Sequence, residues 1–161
     1  MNNSEAKEIS DKIKRAQNFN AGYRMTELIS AAELDMQWHL LPAGAPLQQP
    51  DAFQKEALAK THIDLKTVPP RYRSTYFSHI WAGGYSAGYY AYLWTQMLAD
   101  DAYQWFEENG GLTRANGDRF RRMVLSRGNT EDLATMYVAW RGRAPKVDAM
   151  LKDRGLSDAA P

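Results

Sequence analysis

HIWAGGYSAGYYAYLW, His79 to Trp94, places one histidine, three glycines, four tyrosines and two tryptophans in sixteen positions without a formal charge. The uncharged run extends further, because no Asp, Glu, Lys or Arg occurs from Ser74 to Ala99. A span of about 20 uncharged residues is long enough to cross a bilayer. The content argues otherwise: five tyrosines, His79, Gln96 and the adjacent Gly83 and Gly84 put polar groups and a flexible break where lipid requires apolar, internally satisfied helix. The stretch therefore reads as packed interior or as a surface that handles a substrate, in a chain that looks soluble.

Outward from it, apolar residues recur at helical spacing. Met25, Leu28, Ile29, Ala32 and Met36 form one stripe, Leu133, Met136, Tyr137 and Trp140 a second, and Val147, Met150 and Leu151 a shorter third, while alternating strand patterns are scarce. Punctuation agrees. Asn109 to Gly111 supplies a C-terminal cap, with Thr113 a start for the next segment; Gly128 closes the run before it, with Asn129 or Thr130 capping the helix beyond. Gly142 ends another helix and Pro145 suits the first turn of the last. LLPAGAPLQQP and TVPPRY are proline-rich connections. The expected fold is all-α, an irregular bundle of about seven helices. They run from Ser4 to Gln17, Ala21 to His39, Asp51 to Lys60 and Ser86 to Glu108, with three short ones to the end. No repeat or low-complexity tract breaks the chain, and residues 1–161 read as one segment.

Twenty basic and nineteen acidic side chains give a net charge of +1, which argues against nucleic acid or an anionic membrane as the main partner. There is no cysteine, so disulfides and thiolate chemistry are excluded. The polar start MNNSEAKEISDKIKR reads as neither a secretory signal nor an anchor. The expected location is cytoplasmic, with the periplasm as the alternative.

Two faces of the helix that would begin after the glycine pair differ in kind. Tyr89, Tyr92 and Gln96 share one, with Tyr85 at its entrance; Tyr90, Leu93, Trp94 and Met97 share the other, which reads as ordinary core. The first carries hydroxyls and an amide that need partners if buried. Gly83 and Gly84 permit backbone conformations closed to other residues and let a ligand come near. From periodicity alone an aromatic stripe is core more readily than site, and a lone His79 beside aromatics is a structural histidine by the same reasoning. The remaining histidines, His39 and His62, read as structural or exposed. No two of the three histidines are four apart, so no HExxH zinc helix exists, and no cluster has metal-ligand spacing; nucleophile-elbow and phosphate-loop patterns are missing as well.

Longer motifs go beyond composition. PPRYRSTYFSHIWAGGYSAGYYAYLW, continued by DAYQWFEENGGL, RFRRMVLSRGNTEDL and WRGRAP, and preceded by NFNAGYRMTELISAAELDMQWH, resembles the C-terminal part of the peptidyl-dipeptidases. These dipeptidyl carboxypeptidases belong to the thimet-oligopeptidase-like family of zinc metallopeptidases. The resemblance covers roughly Ile9 to Leu156. Gln96 and Ala144 depart from it, standing where many members carry acidic residues.

The resemblance implies a helical portion of a two-lobed peptidase that removes dipeptides from free carboxyl ends. It implies that zinc serves the full-length enzyme and is bound by an HExxH half outside this chain, so that the chain alone would be inactive. By resemblance, Tyr89 and Tyr92 are catalytic phenols that face the reacting carbonyl, His79 binds the peptide, Gly83 and Gly84 form a flexible loop, and Tyr85 is the loop tyrosine. Arg71 and Arg73 are candidates to clamp the substrate carboxylate. The expected partners are short peptides, the zinc-binding half and further copies of the chain, since an uncovered channel wall favours self-association. The alternative is a zinc-free helical module that binds peptides or a protein partner.

Overall fold

Polar side-chain caps start four of the helices in the computed structural model, which describes residues 2–157. Asn2 caps α1 (Asn3–Gln17) through a reciprocal bond pair with Glu5; α2 spans Ala21–His39, and α3 (Pro50–Lys60) has proline in its first turn and the Gln49 side chain as its cap. A one-turn α4 (Ser78–Trp81) follows a short 3-10 turn at Ser74–Tyr76. Then come α5 (Ala91–Glu108), α6 (Arg114–Phe120), a π turn at Arg121–Leu125, α7 (Leu133–Arg141) and α8 (Asp148–Asp153). Among the described residues there is no strand beyond an isolated bridge between Leu65 and Val68, so the chain is all-α as the sequence predicts. No helix among them is long and apolar enough to cross a membrane.

The chain divides into two compact units, one up to Tyr92 and one from Leu93 on. In the first, α2 packs on α3. The most buried line of α2 is Ala31, Leu34 and Asp35, turned away from the predicted stripe, of which Ala32 is buried but Met25, Leu28, Ile29 and Met36 are only half-buried. The cause is that α2 is covered on two sides. Leu34 meets Ala57 and Leu58 of α3, while Ala31 and Ala32 meet Phe77, Ile80 and Tyr89. The segment between α3 and α4 is pinned at Ser74. Its hydroxyl accepts from Trp38 Nε1 at 2.9 Å, its carbonyl from Trp81 Nε1 at 2.7 Å, and its N–H donates to Gln54 Oε1 at 3.1 Å. Upstream, the Arg71 N–H donates to the Glu27 carbonyl at 2.9 Å. These bonds satisfy polar groups that burial would otherwise leave unmade.

The second unit has its own core of Trp105, Phe106 and Trp140, with Phe120, Met123, Val124 and Tyr137 against it. Beside that core Asp101, fully buried, accepts from Arg143 at 2.6 Å, Tyr137 at 2.7 Å and Arg141 at 3.3 Å. Glu108 takes the other side of the Arg141 guanidinium at 2.7 Å. Burial works to raise the Asp101 pKa, but hydrogen bonds from Arg143, Tyr137 and Arg141 outweigh it and hold the carboxylate below its ordinary range.

Three boundaries differ from the sequence reading. Helix α5 starts at Ala91, not Ser86, because Ala87 takes a left-handed backbone (φ +53°) that no helix continues through. Helix α7 is capped by Asp132, whose side chain accepts from the Thr135 N–H, rather than by Asn129 or Thr130. Helix α8 begins at Asp148, so Pro145 lies in the connection before it. The stops at Gly128 and Gly142 are in place, both with left-handed backbone. Tyr90 and Trp94, read as core, are each 53% exposed. Helical spacing fixes which residues share a face but not whether anything covers it.

Candidate functional site

The loop after α4 is shaped by three local bonds and two glycines. Gly83 N–H donates to Ser78 O at 2.9 Å, Tyr85 N–H to His79 O at 3.0 Å and the Ser86 hydroxyl to Ile80 O at 2.6 Å, folding the chain back over its own helix. A Cβ at Gly83 would stand 2.9 Å from His79 Cα and 3.0 Å from His79 O, so only glycine fits there. Gly84 takes φ +77°. Successive i to i+3 bonds, Gly88 N–H to Tyr85 O and Ala91 N–H to Gly88 O, then lead into α5.

This path gathers His79, Tyr85, Tyr89 and Tyr92 into one aromatic cluster within the first unit. Tyr85 is stacked on Tyr92 with centroids 5.3 Å apart; His79 lies 6.0 Å from Tyr85, 6.3 Å from Tyr92 and 5.5 Å from Tyr89, and Tyr89 lies 5.0 Å from Tyr92. Exposure separates the members: Tyr92 is 40% and Tyr85 38% exposed, whereas Tyr89 is 3% exposed and belongs to the core with Phe77 and Ile80. A shallow, open cavity of about 300 Å³ beside them is lined by Ser78, His79, Ala82, Gly83 and Tyr85. His79 Nδ1 is buried there without a protein hydrogen-bond partner.

Burial, reinforced by the neighbouring Tyr72 hydroxyl and opposed by the Arg71 charge, pushes the Tyr89 phenol up to about 12. A hydrogen bond with Tyr85 raises Tyr92 above the ordinary tyrosine value as well. Both phenols are thus neutral at physiological pH and able to donate a proton in a hydrogen bond.

The two candidate arginines part company. Arg71 stays beside the cluster, its guanidinium carbon 5.8 Å from the Tyr72 ring centroid and its Nη1 3.4 Å from Glu27 Oε1. Arg73 instead lines a second cavity of about 190 Å³, with Gln54, Lys55, Leu58 and Lys66. The structure does not bring it to the aromatic cluster.

Two residues of the site escaped the sequence reading. Tyr72 stands at the centre of the cluster, 4.8 Å from His79, 5.1 Å from Phe77 and 6.1 Å from Tyr89. Asp35 lies beneath the loop, fully buried, and accepts from the N–H groups of Ala87 and Tyr89 at 2.9 Å each. An acid one residue after Leu34, within the apolar run of α2, was the available signal. Among the described residues no group of three or more His, Cys, Asp or Glu side chains could hold a metal ion.

A glycine-folded loop thus joins the His79 helix to α5 and brings the half-exposed phenols of Tyr85 and Tyr92 together on an all-helical scaffold. The chain belongs to peptidase family M3, whose profile matches residues 2–156. It is 59% identical to dipeptidyl carboxypeptidase of Salmonella typhimurium over 149 residues, 92% of this chain and 22% of that protein. With dipeptidyl carboxypeptidase of Escherichia coli it shares 59% over 150 residues, 93% of this chain and 22% of the relative. Oligopeptidase A of E. coli is 37% identical over 155 residues, 93% of this chain and again 22% of the relative. The chain thus spans about a fifth of the relatives it matches.

Proposed function

We propose that this chain supplies the substrate-facing loop and helix of a zinc metallopeptidase that removes dipeptides from the free carboxyl ends of short peptides. The observation that carries the reading is that the half-exposed Tyr92 is stacked on Tyr85 and lies beside His79, two residues that line an open cavity. The 59% identity to two dipeptidyl carboxypeptidases supports the substrate class. Zinc, when bound, supplies a polarised water and a Lewis acid for peptide hydrolysis. The described residues do not fit a zinc site, so its ligands would lie on other polypeptide.

Exposure and protonation set the roles of the chain's own residues. Attack on a peptide carbonyl creates an oxyanion, and a neutral donor fixed beside it stabilises the transition state more than the ground state. Tyr92, at the surface, is the direct donor. Tyr89 lies under it, protonated up to about pH 12, and backs the Tyr92 ring from the core. His79 and Tyr85 border the cavity and contact the peptide, with Gly83 and Gly84 giving their loop its path. Arg71, half-exposed beside the cluster and 3.4 Å from Glu27, is the candidate partner of the terminal carboxylate in this reading.

The test is a titration of the chain with a short peptide bearing a free carboxyl end, followed through the ring signals of His79, Tyr85 and Tyr92 by NMR. Saturable shifts at these rings, weakened by C-terminal amidation, are expected. Saturable binding indifferent to amidation would favour a general interaction module, and no saturable shift at these rings would contradict the reading.

A further inference from the structure

We infer that Asp35 is a positioning residue, whose carboxylate fixes the turn that brings Tyr85, Tyr89 and Tyr92 onto one face. Each carboxylate oxygen takes one backbone N–H, Oδ1 that of Ala87 and Oδ2 that of Tyr89, both at 2.9 Å and more than fifty residues away along the chain. The two N–H groups flank Gly88, so one carboxylate spans the whole turn. Ala87 holds a left-handed φ of +53°, unfavourable for a residue with a Cβ, and such a conformation persists only where its surroundings impose it.

The carboxylate is itself held. His39, one helical turn along α2, has Nδ1 2.8 Å from Asp35 Oδ1 and 2.8 Å from its carbonyl oxygen. Both neighbours are acceptors, so Nδ1 carries the proton. Ser86, just before the turn, is tied to Ile80, so the loop is fastened at both ends, locally by α4 and at long range by Asp35. Tyr92 comes three residues after Tyr89, and its N–H donates to the Tyr89 carbonyl at 3.3 Å. The orientation of Tyr92 is therefore passed on from the anchored residue.

Asp35→Asn keeps the shape but puts an amide donor against one of the N–H groups. Hydrogen bonds to charged groups are each strong enough that their loss accelerates local opening about 10- to 100-fold. Amide exchange at Ala87 and Tyr89 should rise by that factor, with the amides of α2 at Ala31 and Leu34 unchanged, and the ring contact between Tyr85 and Tyr92 should vanish from NMR spectra. Adding Ala87→Gly, which removes the left-handed penalty, should restore part of that contact. If Asp35→Asn does not fold, exchange in the unaltered protein decides. Protection at Ala87 and Tyr89 well above that of exposed Gly84 is required, and equal rates would overturn the inference. So would an Asp35→Asn protein that keeps the Tyr85 and Tyr92 contact. The use of this turn in peptide handling rests on the proposed function. Loss of the ring contact without any change in peptide binding would leave the positioning role standing and count against that function.

Discussion

The rings of Tyr85 and Tyr92 lie face to face, with planes 16° apart and centroids 5.3 Å apart. Their hydroxyls are linked, and the bond to Tyr85 is the first cause of the raised Tyr92 pKa. Tyr85→Phe keeps the stack and removes that link. Tyr92 should then titrate at lower pH, toward the ordinary 10.0, while its contact with His79 persists. A pH titration of the Tyr92 ring carbon by NMR checks this, and an unchanged midpoint would refute the link.

Tyr89 makes a different demand, because its ring is part of the core. Truncation to Ala should cost about 3 to 5 kcal/mol of stability. Its ionisation gives a second, signed expectation. A tyrosine raised from 10.0 to about 12 leaves the folded state holding a proton that the unfolded chain has released, so stability is fully present below pH 10 and declines as pH climbs toward 12. Denaturant melts across that range should show the decline, and Tyr89→Phe should reduce it.

Gly83 and Gly84 should respond differently to alanine. At Gly83 the added Cβ meets the His79 backbone at 2.9 Å, so the loop must move and peptide binding should fall together with stability. At Gly84 nothing stands within 4 Å, and the cost is confined to backbone strain at φ +77°, about 1 to 2 kcal/mol. Thermal melts and peptide titrations of both variants rank them. Equal effects on binding would argue against a close fit at Gly83.

In the second unit the buried Asp101 is satisfied by Arg141, Arg143 and Tyr137. Arg141→Ala removes the more buried of the two guanidinium groups and should destabilise by about 3 kcal/mol. The Asp101 carboxylate is held below its ordinary 3.8, since its hydrogen bonds outweigh burial. Its contribution to stability is therefore present above about pH 4 and lost as pH falls through the lower folded value. Acid unfolding monitored by circular dichroism should shift to higher pH in Arg141→Ala.

Phe19 is 73%, Trp81 50% and Tyr90 53% exposed, and we propose that surface of this kind is covered by self-association. Sedimentation velocity across a concentration series should show reversible dimers or larger species. A monomer throughout would contradict the expectation.

Much of this architecture was legible because it depends on neighbours in sequence. Thr113 caps α6 and Gly142 closes α7 through bonds within four residues of themselves. The resemblance carried by the His79 to Trp94 stretch likewise singled out four side chains that the fold gathers into one cluster. The start of α5 was not legible, since it depends on Asp35 reaching across more than fifty residues to fix Ala87. The exposure of Tyr89 and Tyr92 was not legible either. They are three apart on one face, yet 3% and 40% exposed, because Phe77 and Ile80 cover only the first. Arg71 and Arg73 look equivalent in sequence, but a backbone bond to Glu27 fixes Arg71 near the aromatic cluster while Arg73 turns toward α3 residues Gln54 and Lys55.

The central claim is that the Tyr92 hydroxyl donates to the carbonyl under attack. Its most direct test is the turnover of Tyr92→Phe against the unaltered chain, each combined with the zinc-bearing part of a family M3 peptidase and supplied with a short free-carboxyl peptide. A fall of about 10²- to 10³-fold in kcat with KM nearly unchanged is the expected result. Equal kcat for the two proteins would contradict the claim.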